Sequence, residues 1–442
     1  MVMAEAAESP ELRFLQAFFA QVGSFSSERG RELLDKERES SRNAGGSWPG
    51  FLAALGQLAA TEKAYHAMGF LGSKPGGQSF FARKDSIRNS YSTLAADLNR
   101  FSTQGSGATL PLLEELLFHL AGQLDAFVRA RQEMADFYER LYSLSLGRNC
   151  SLEDLPCALD AIVQKVSSRF HHPTLSGLNS SFQLEVEILA HLLQAQLQIS
   201  SWLFFPSLMN LHASHTKLAA WTAQGTEHAR EAVQRKPLFG GSTQRGLQPP
   251  HLHQWLSKFK MILLAKFTLY FHEILSQQTT SEMKTLTAKV TPDLYGKTCS
   301  FIKKTDAVNV LLILDITGPQ DSFKGHGYHH PSSVGNKGAF ESCVTVVSLP
   351  TERSSPHWAV VSAMLVERAK ELASLERVIY TYNEATQSCY YLVRPEPRFA
   401  IVAIFESRKL ERDSHVQTFL LEMCASLRPC KPYASLKPGS KH

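Results

Sequence analysis

Between His251 and Gln277, apolar residues recur at Leu252, Leu256, Phe259, Leu263, Phe267, Tyr270 and Ile274, the three-and-four spacing of one helix face. Trp255, Ile262, Leu269 and Phe271 widen that stripe until little polar surface remains, which predicts a helix in the middle of a bundle. Pro249 and Pro250 suit its first turn, and the polar run from Gln277 to Ser281 frays its end. A longer seam runs through Leu113, Leu117, Leu120, Leu124, Phe127, Arg131, Met134, Tyr138 and Leu141. Its alternating steps of four and three residues cover about 40 Å at 1.5 Å per residue. Arg131 is the one charge in it, predicted either to be paired inside the bundle or to snorkel outward, and the seam suits intramolecular packing better than a dimeric coiled coil.

Shorter amphipathic patterns predict helices over Glu11–Val22, Glu28–Glu39, from Trp48 to Phe70, Ser79–Phe101, Ser151–Arg169, Ser180–Ser200 and Trp202–Trp221. Gly72 and the SKPGG run after it read as a helix cap and turn, since the spacing of a phosphate-binding loop is absent. Gln224 to Pro250 has little periodicity and reads as a loop. Beyond Thr291 the pattern changes. A last helix over Pro292–Lys304 gives way to strand-length apolar runs at Val308–Ile316, Cys343–Leu349, Val378–Tyr382, Ser388–Val393 and Phe399–Glu406. Helices are expected at Trp358–Ala373 and Arg412–Leu427. The expected class is therefore α+β: a large all-helical bundle over residues 1–290, then a smaller domain over 291–442 with a five-stranded antiparallel or mixed sheet flanked by helices. In outline the second part resembles the longin and roadblock folds.

Composition changes little in this picture. The chain has 442 residues, 43% hydrophobic and 20% charged, and a net charge of +5, too small for its length to predict nucleic-acid binding. Seven scattered cysteines without a C-x-x-C read as reduced structural thiols. Acidic residues near the start argue against a secretory signal, and the most apolar run, Met261 to Phe271, is shorter than the roughly 20 residues a bilayer requires. Membrane association is expected to be peripheral or through partners.

Candidate chemistry is sparse. Glu62/His66, Glu115/His119 and Glu187/His191 each lie four apart on predicted helices. Carboxylate and imidazole on one face invite a di-iron reading, but ferritin-like sites space them by three, so exposed helix-supporting pairs are expected. His171-His172, His212 with His215, and His326, His329 and His330 in the long Thr317–Ser342 loop lack the further ligand spacing that zinc requires. No cofactor is expected, and no hydrolase, dinucleotide or kinase motif appears. Two segments are candidate partner-docking surfaces: Phe80, Phe81, Arg83, Lys84 and Arg88 on the early turns of one helix, and Tyr328, His329 and His330. A metal-dependent activity of the histidine clusters, and binding of anionic membrane by the KPGSKH tail, stand as the alternatives to a docking protein.

Several stretches together resemble one family: GGQSFFARKDSIR at Gly76–Arg88, SSRFHHP at Ser167–Pro173, NLHASHTKL at Asn210–Leu218, LLAKFTLYFHE at Leu263–Glu273, SEMKTLTAK at Ser281–Lys289, GHGYHHP at Gly325–Pro331, RPEPRFAIVAIFES at Arg394–Ser407, ERDSH at Glu411–His415 and ASLKPG at Ala434–Gly439. This is similar to the KICSTOR subunit 2 family of lysosomal scaffold components over nearly the whole chain. Ser332–Phe340 and about the first ten residues depart from the family pattern. The resemblance implies a non-enzymatic scaffold at the lysosomal surface, working with kaptin, an FG-GAP repeat protein and a very large seizure-threshold protein, with a homo-oligomer left open. It implies that the assembly recruits the GATOR complex and restrains target-of-rapamycin signalling under amino-acid or glucose starvation. It carries over no catalytic residue.

Overall fold

The computed structural model describes residues 9–42, 45–71, 87–103, 111–146, 152–234, 249–277, 280–316, 343–350, 355–372 and 377–439. Two compact units arise. One comprises Met1–Leu193, Ala213–Ser257 and Tyr433–His442, the other Gln194–His212 and Lys258–Pro432.

The first unit is helical. Helices α1 (Pro10–Gly23), α2 (Ser27–Ser40), α3 (Trp48–His66), α4 (Ile87–Thr103), α5 (Leu112–Ser145) and α6 (Asp154–Ser167) each pack on the next, and α3 also meets α5. Ser9 caps α1 by accepting the Leu12 N–H, satisfying one of the donors a helix start leaves open. The α5 seam is buried from Leu117 through Leu120, Leu124, Phe127, Met134 and Tyr138 to Leu141, as its period predicts. A short 3₁₀ turn, Pro173–Leu175, leads into α7 (Ser176–Ser200) and packs on α1. There Gly23 and Gly177 let two backbones touch: a Cβ on Gly23 would sit 2.2 Å from the Gly177 carbonyl oxygen, and one on Gly177 2.8 Å from Ala20 Cα.

Helix α8 spans Phe204–Gln234, running about ten residues into the stretch expected to be a loop. Glu227, Ala229, Arg230, Glu231 and Ala232 are good helix formers, so intrinsic propensity extends the helix where the apolar stripe stops. The expected central helix is divided into α9 (His251–Tyr270) and α10 (His272–Gln277), with Phe271 in a turn between them. Its apolar face is buried as expected from Leu252 to Ile274.

In the second unit, α11 (Ser281–Thr287) and α12 (Leu294–Lys304) precede the sheet. Strands β1 (Asn309–Asp315), β2 (Cys343–Leu349), β3 (Ile379–Asn383), β4 (Ser388–Glu396) and β5 (Phe399–Phe405) are arranged 2-1-5-4-3, and every pairing is antiparallel. Helices α13 (Ser355–Glu367) and α14 (Ala369–Leu372) supply Val361, Met364, Leu365 and Leu372 to one face, against Leu311, Ile313, Tyr390, Leu392, Val402 and Ile404. On the other face, Phe301 of α12 stacks on Phe419 of α15 (Ser414–Leu427), 3.9 Å between centroids, and meets Phe405 edge-on. Burial on both faces explains why β1 and β5 read as continuous apolar runs. Helix α16 (Lys431–Ala434) follows.

Candidate functional site

Of the predicted docking residues, Arg88 is described, on the first turn of α4. Its guanidinium lies 2.5 Å from Asp136 and 2.7 Å from Glu139, both on α5. It therefore staples two helices of its own chain and sits half-exposed rather than as an unpaired cation. Around it Arg129 meets Asp125 at 2.9 Å within α5, Lys165 of α6 meets Glu133 of α5 at 2.8 Å, and Gln132 donates to Ser92 at 2.7 Å. Phe80, Phe81, Arg83, Lys84, Tyr328, His329 and His330 lie outside the described residues.

The electrostatic centre of the first unit lies deeper. Arg131, 1% exposed, is held by Glu62 of α3 at 3.1 Å and Glu185 of α7 at 2.5 Å. Tyr91 of α4 donates to Glu62 Oε1 at 2.6 Å, while Tyr65 and Tyr138 donate to Glu185 Oε1 at 2.6 and 3.0 Å. All four carboxylate oxygens thus accept a hydrogen bond, and the guanidinium is sandwiched by the rings of Tyr65, Phe127 and Phe182. Burial works against the Arg131 cation, but Glu185 and Glu62 outweigh it and hold its pKa well above its ordinary range. For Glu62, burial prevails over Arg131 and Tyr91 and raises the carboxyl pKa. One cation facing two carboxylates suits a carboxyl that keeps its proton more readily.

The outcome decides between pairing and snorkelling in favour of pairing, and it corrects the expectation for Glu62 and His66. Neither is an exposed helix-supporting residue; both are buried. Sequence reasoning overlooked a visible signal. On α3 the buried positions Leu55, Leu58, Ala59, Glu62, Tyr65 and His66 share one phase, and on α7 Phe182, Glu185, Ile188 and Leu192 do the same. A carboxylate in phase with the apolar stripe marks an internal partner for the Arg131 charge.

The second unit carries a smaller version. Lys266, in the middle of the α9 apolar stripe, donates to Glu396 Oε2 of β4 at 2.7 Å and to Ser200 Oγ at 3.0 Å. Ser200 also donates to Glu396 Oε2 at 2.9 Å, and Tyr270 donates to Oε1 at 2.5 Å. Lys266 and Glu396 are both buried. This node ties helix to strand.

Histidines play local structural parts. His172 Nδ1 accepts the Thr174 N–H and caps the 3₁₀ turn, and the Gln123 carbonyl accepts the backbone N–H groups of His171 and His172 at 3.0 and 2.8 Å. Gln123 meets His119 Nε2 at 2.9 Å, and Glu187 meets Lys217 at 2.6 Å. Among the described residues no group of three or more His, Cys, Asp or Glu side chains is placed to hold a metal ion, and no helix is long and apolar enough to cross a membrane.

A family model described as "KICSTOR complex C12orf66 like" matches residues 5–441. KICSTOR subunit 2 of Xenopus laevis is 52% identical over 436 residues, covering 98% of this chain and 97% of that protein. KICSTOR subunit 2 of Danio rerio is 51% identical over 438 residues, 98% of this chain and 96% of that one.

Proposed function

The chain belongs to the KICSTOR C12orf66-like family, and from that premise we propose that it is a non-catalytic scaffold subunit that helps bring the GATOR complex to the lysosomal surface. In this reading it assembles with kaptin, an FG-GAP repeat protein and a large seizure-threshold protein, and restrains target-of-rapamycin signalling when amino acids or glucose are scarce. The observation that carries the reading is the end-to-end match at about half identity, which leaves no large segment of the relatives without a counterpart. Family membership supports a scaffold role in the KICSTOR complex, and no enzyme family is indicated. The interior agrees with a scaffold's need for rigidity. Glu62, Glu185 and Glu396, acid groups that could serve chemistry in a cleft, are each saturated by partners from their own unit.

Affinity purification of the tagged full chain from nutrient-starved cells tests the assembly. Co-recovery of the three other subunits in near-equal amounts is the expected result; recovery of the chain alone would overturn it. Imaging of GATOR in cells lacking the chain tests the recruitment step. GATOR should leave lysosomes, and an unchanged lysosomal signal would remove that part of the proposal.

A further inference from the structure

An almost fully buried glutamine joins two histidines where the connection after α6 crosses α5. Gln123 of α5 is 5% exposed, and its carbonyl oxygen accepts the backbone N–H groups of His171 and His172. A backbone N–H can only donate, so these two bonds fix which end of the amide is oxygen. The amide nitrogen then faces His119 Nε2, one turn earlier on α5, at 2.9 Å. It too can only donate, so that ring nitrogen is an unprotonated acceptor. The same logic holds beside it. The Thr174 N–H donates to His172 Nδ1 at 3.2 Å, which makes Nδ1 the bare nitrogen of that ring. Both histidines are therefore used neutral, each in a tautomer dictated by backbone donors.

Protonation finds no accommodating rearrangement here. With a proton on His119 Nε2, two donors meet head on. Turning the Gln123 amide over only moves the conflict, because its NH2 group would then face the His171 and His172 N–H groups. With a proton on His172 Nδ1, the cap of the 3₁₀ turn is lost. The two rings lie 5.6 Å apart between centroids, so charge on one opposes charge on the other. Burial, then His119 and His171, hold the His172 pKa below 6.5, with no carboxylate acting against them. The remaining charges on the surrounding elements are accounted for. Glu115, one turn before His119, and Arg169 are exposed, Lys165 of α6 is paired with Glu133, and Glu185 of α7 is held by Arg131. Glu11 and Arg13 of α1 lie near its start, away from the Phe19 and Ala20 backbone that meets Gly177. Solvent protons reach this place: His119 is exposed and His172 half-buried, whereas His66 is sealed inside.

The fastened segment matters to the unit. It runs into the Pro173–Leu175 turn, which packs on α1, and then into α7 at the contact of Gly23 with Gly177. We propose that His119, Gln123 and His172 form an acid-released latch: neutral, they fasten the connection between α6 and α7 to α5, and protonation of either ring frees that connection together with the 3₁₀ turn. The motion lies within the first unit and is independent of which other subunits the chain meets.

Hydrogen exchange of the full chain tests it, read by mass spectrometry on a peptide covering residues 169–177 and corrected for the intrinsic effect of pH on exchange. Protection there should fall about tenfold between about pH 7.5 and about pH 5, the scale of losing one hydrogen bond, while the α5 seam keeps its own. Unchanged protection of the 169–177 peptide in the unsubstituted chain overturns the proposal. Two substitutions keep the acceptors and remove the titration: His119→Gln presents Oε1 to Gln123, and His172→Asn presents Oδ1 to the Thr174 N–H. The double variant should stay protected at about pH 5. Because it retains His66, a fall as large as that of the unsubstituted chain would assign the acid response to another group and overturn the latch. Gln123→Ala should leave the peptide unprotected already at about pH 7.5, and full protection there would show that the amide fastens nothing. The α5 seam peptide, read in the same experiment, establishes that each variant is folded.

Discussion

Replacing Arg131 with methionine strips two buried carboxylates of their cation while leaving them no route to water. Breaking a buried ion pair from one side costs about 3–5 kcal/mol, because the partner's desolvation is no longer offset. Arg131→Met should lower unfolding free energy by that amount in urea titrations, whereas Arg88→Met, at a half-exposed pair, should lower it by less than about 1 kcal/mol. Equal effects would mean that the buried node is no more than a surface bridge moved indoors. Acid should act on the same region through His66. Burial, reinforced by the Arg131 cation, holds its pKa well below the ordinary 6.5. As pH falls below 6.5 the unfolded chain takes a proton there and the folded chain does not, so stability present at neutral pH is lost by about 1.4 kcal/mol per pH unit. Glu62 has the opposite sign. Its raised pKa keeps a proton on the folded chain that the unfolded chain releases above 4.5, so its share of stability falls as pH rises from there. Comparing His66→Phe with the parent isolates the first effect: its urea midpoint should fall less between about pH 7.5 and about pH 5.5, and an identical fall would exclude His66.

At the scale of elements, the approach of α1 to the start of α7 makes a sharp demand. Gly23→Ala places a methyl group 2.2 Å from the Gly177 carbonyl oxygen, and since both partners are backbone the helices must separate. A loss of about 1–3 kcal/mol is expected in thermal melts, against a near-neutral change for Gly45→Ala, whose added carbon meets nothing within 4 Å. Such close approaches cannot be seen in one sequence, because a glycine that admits a distant backbone looks the same as one that ends a helix. The long periodic elements were legible for the opposite reason. The α5 seam and the doubly buried strands β1 and β5 each carry their environment in a repeated local pattern. The period of each helix marks a buried carboxylate but does not say which distant charge it meets. Arg131 stood out in its seam, yet its carboxylates lie 69 residues before it and 54 after it, with a tyrosine donor 40 residues before it. The extension of α8 to Gln234 was hidden because propensity without an apolar stripe resembles a polar loop. For the predicted docking residues, Arg88 proved to be committed to Asp136 and Glu139, a pairing between helices that charge runs do not announce.

For the whole molecule, the Lys266–Glu396 node makes a cut at residue 290 testable. A fragment of residues 1–290 keeps Lys266, Ser200 and Tyr270 but loses the carboxylate that satisfies all three. It should melt without cooperativity in circular dichroism or aggregate, and a sharp transition at the temperature of the full chain would show the node to be dispensable. The strand order 2-1-5-4-3 also has a consequence in time. Asn309 of β1 pairs with Ile404 of β5, a separation of 95 residues, so on a ribosome adding roughly 5–20 residues per second β1 emerges about 5–20 s before its second neighbour. During that interval β2 can close one side of β1, while the other side, apolar on both faces, stays open to any extended chain nearby. Nascent chains of this protein should therefore depend on chaperones that bind late in synthesis, when α1 to α14 have already been made and the sheet still lacks its middle.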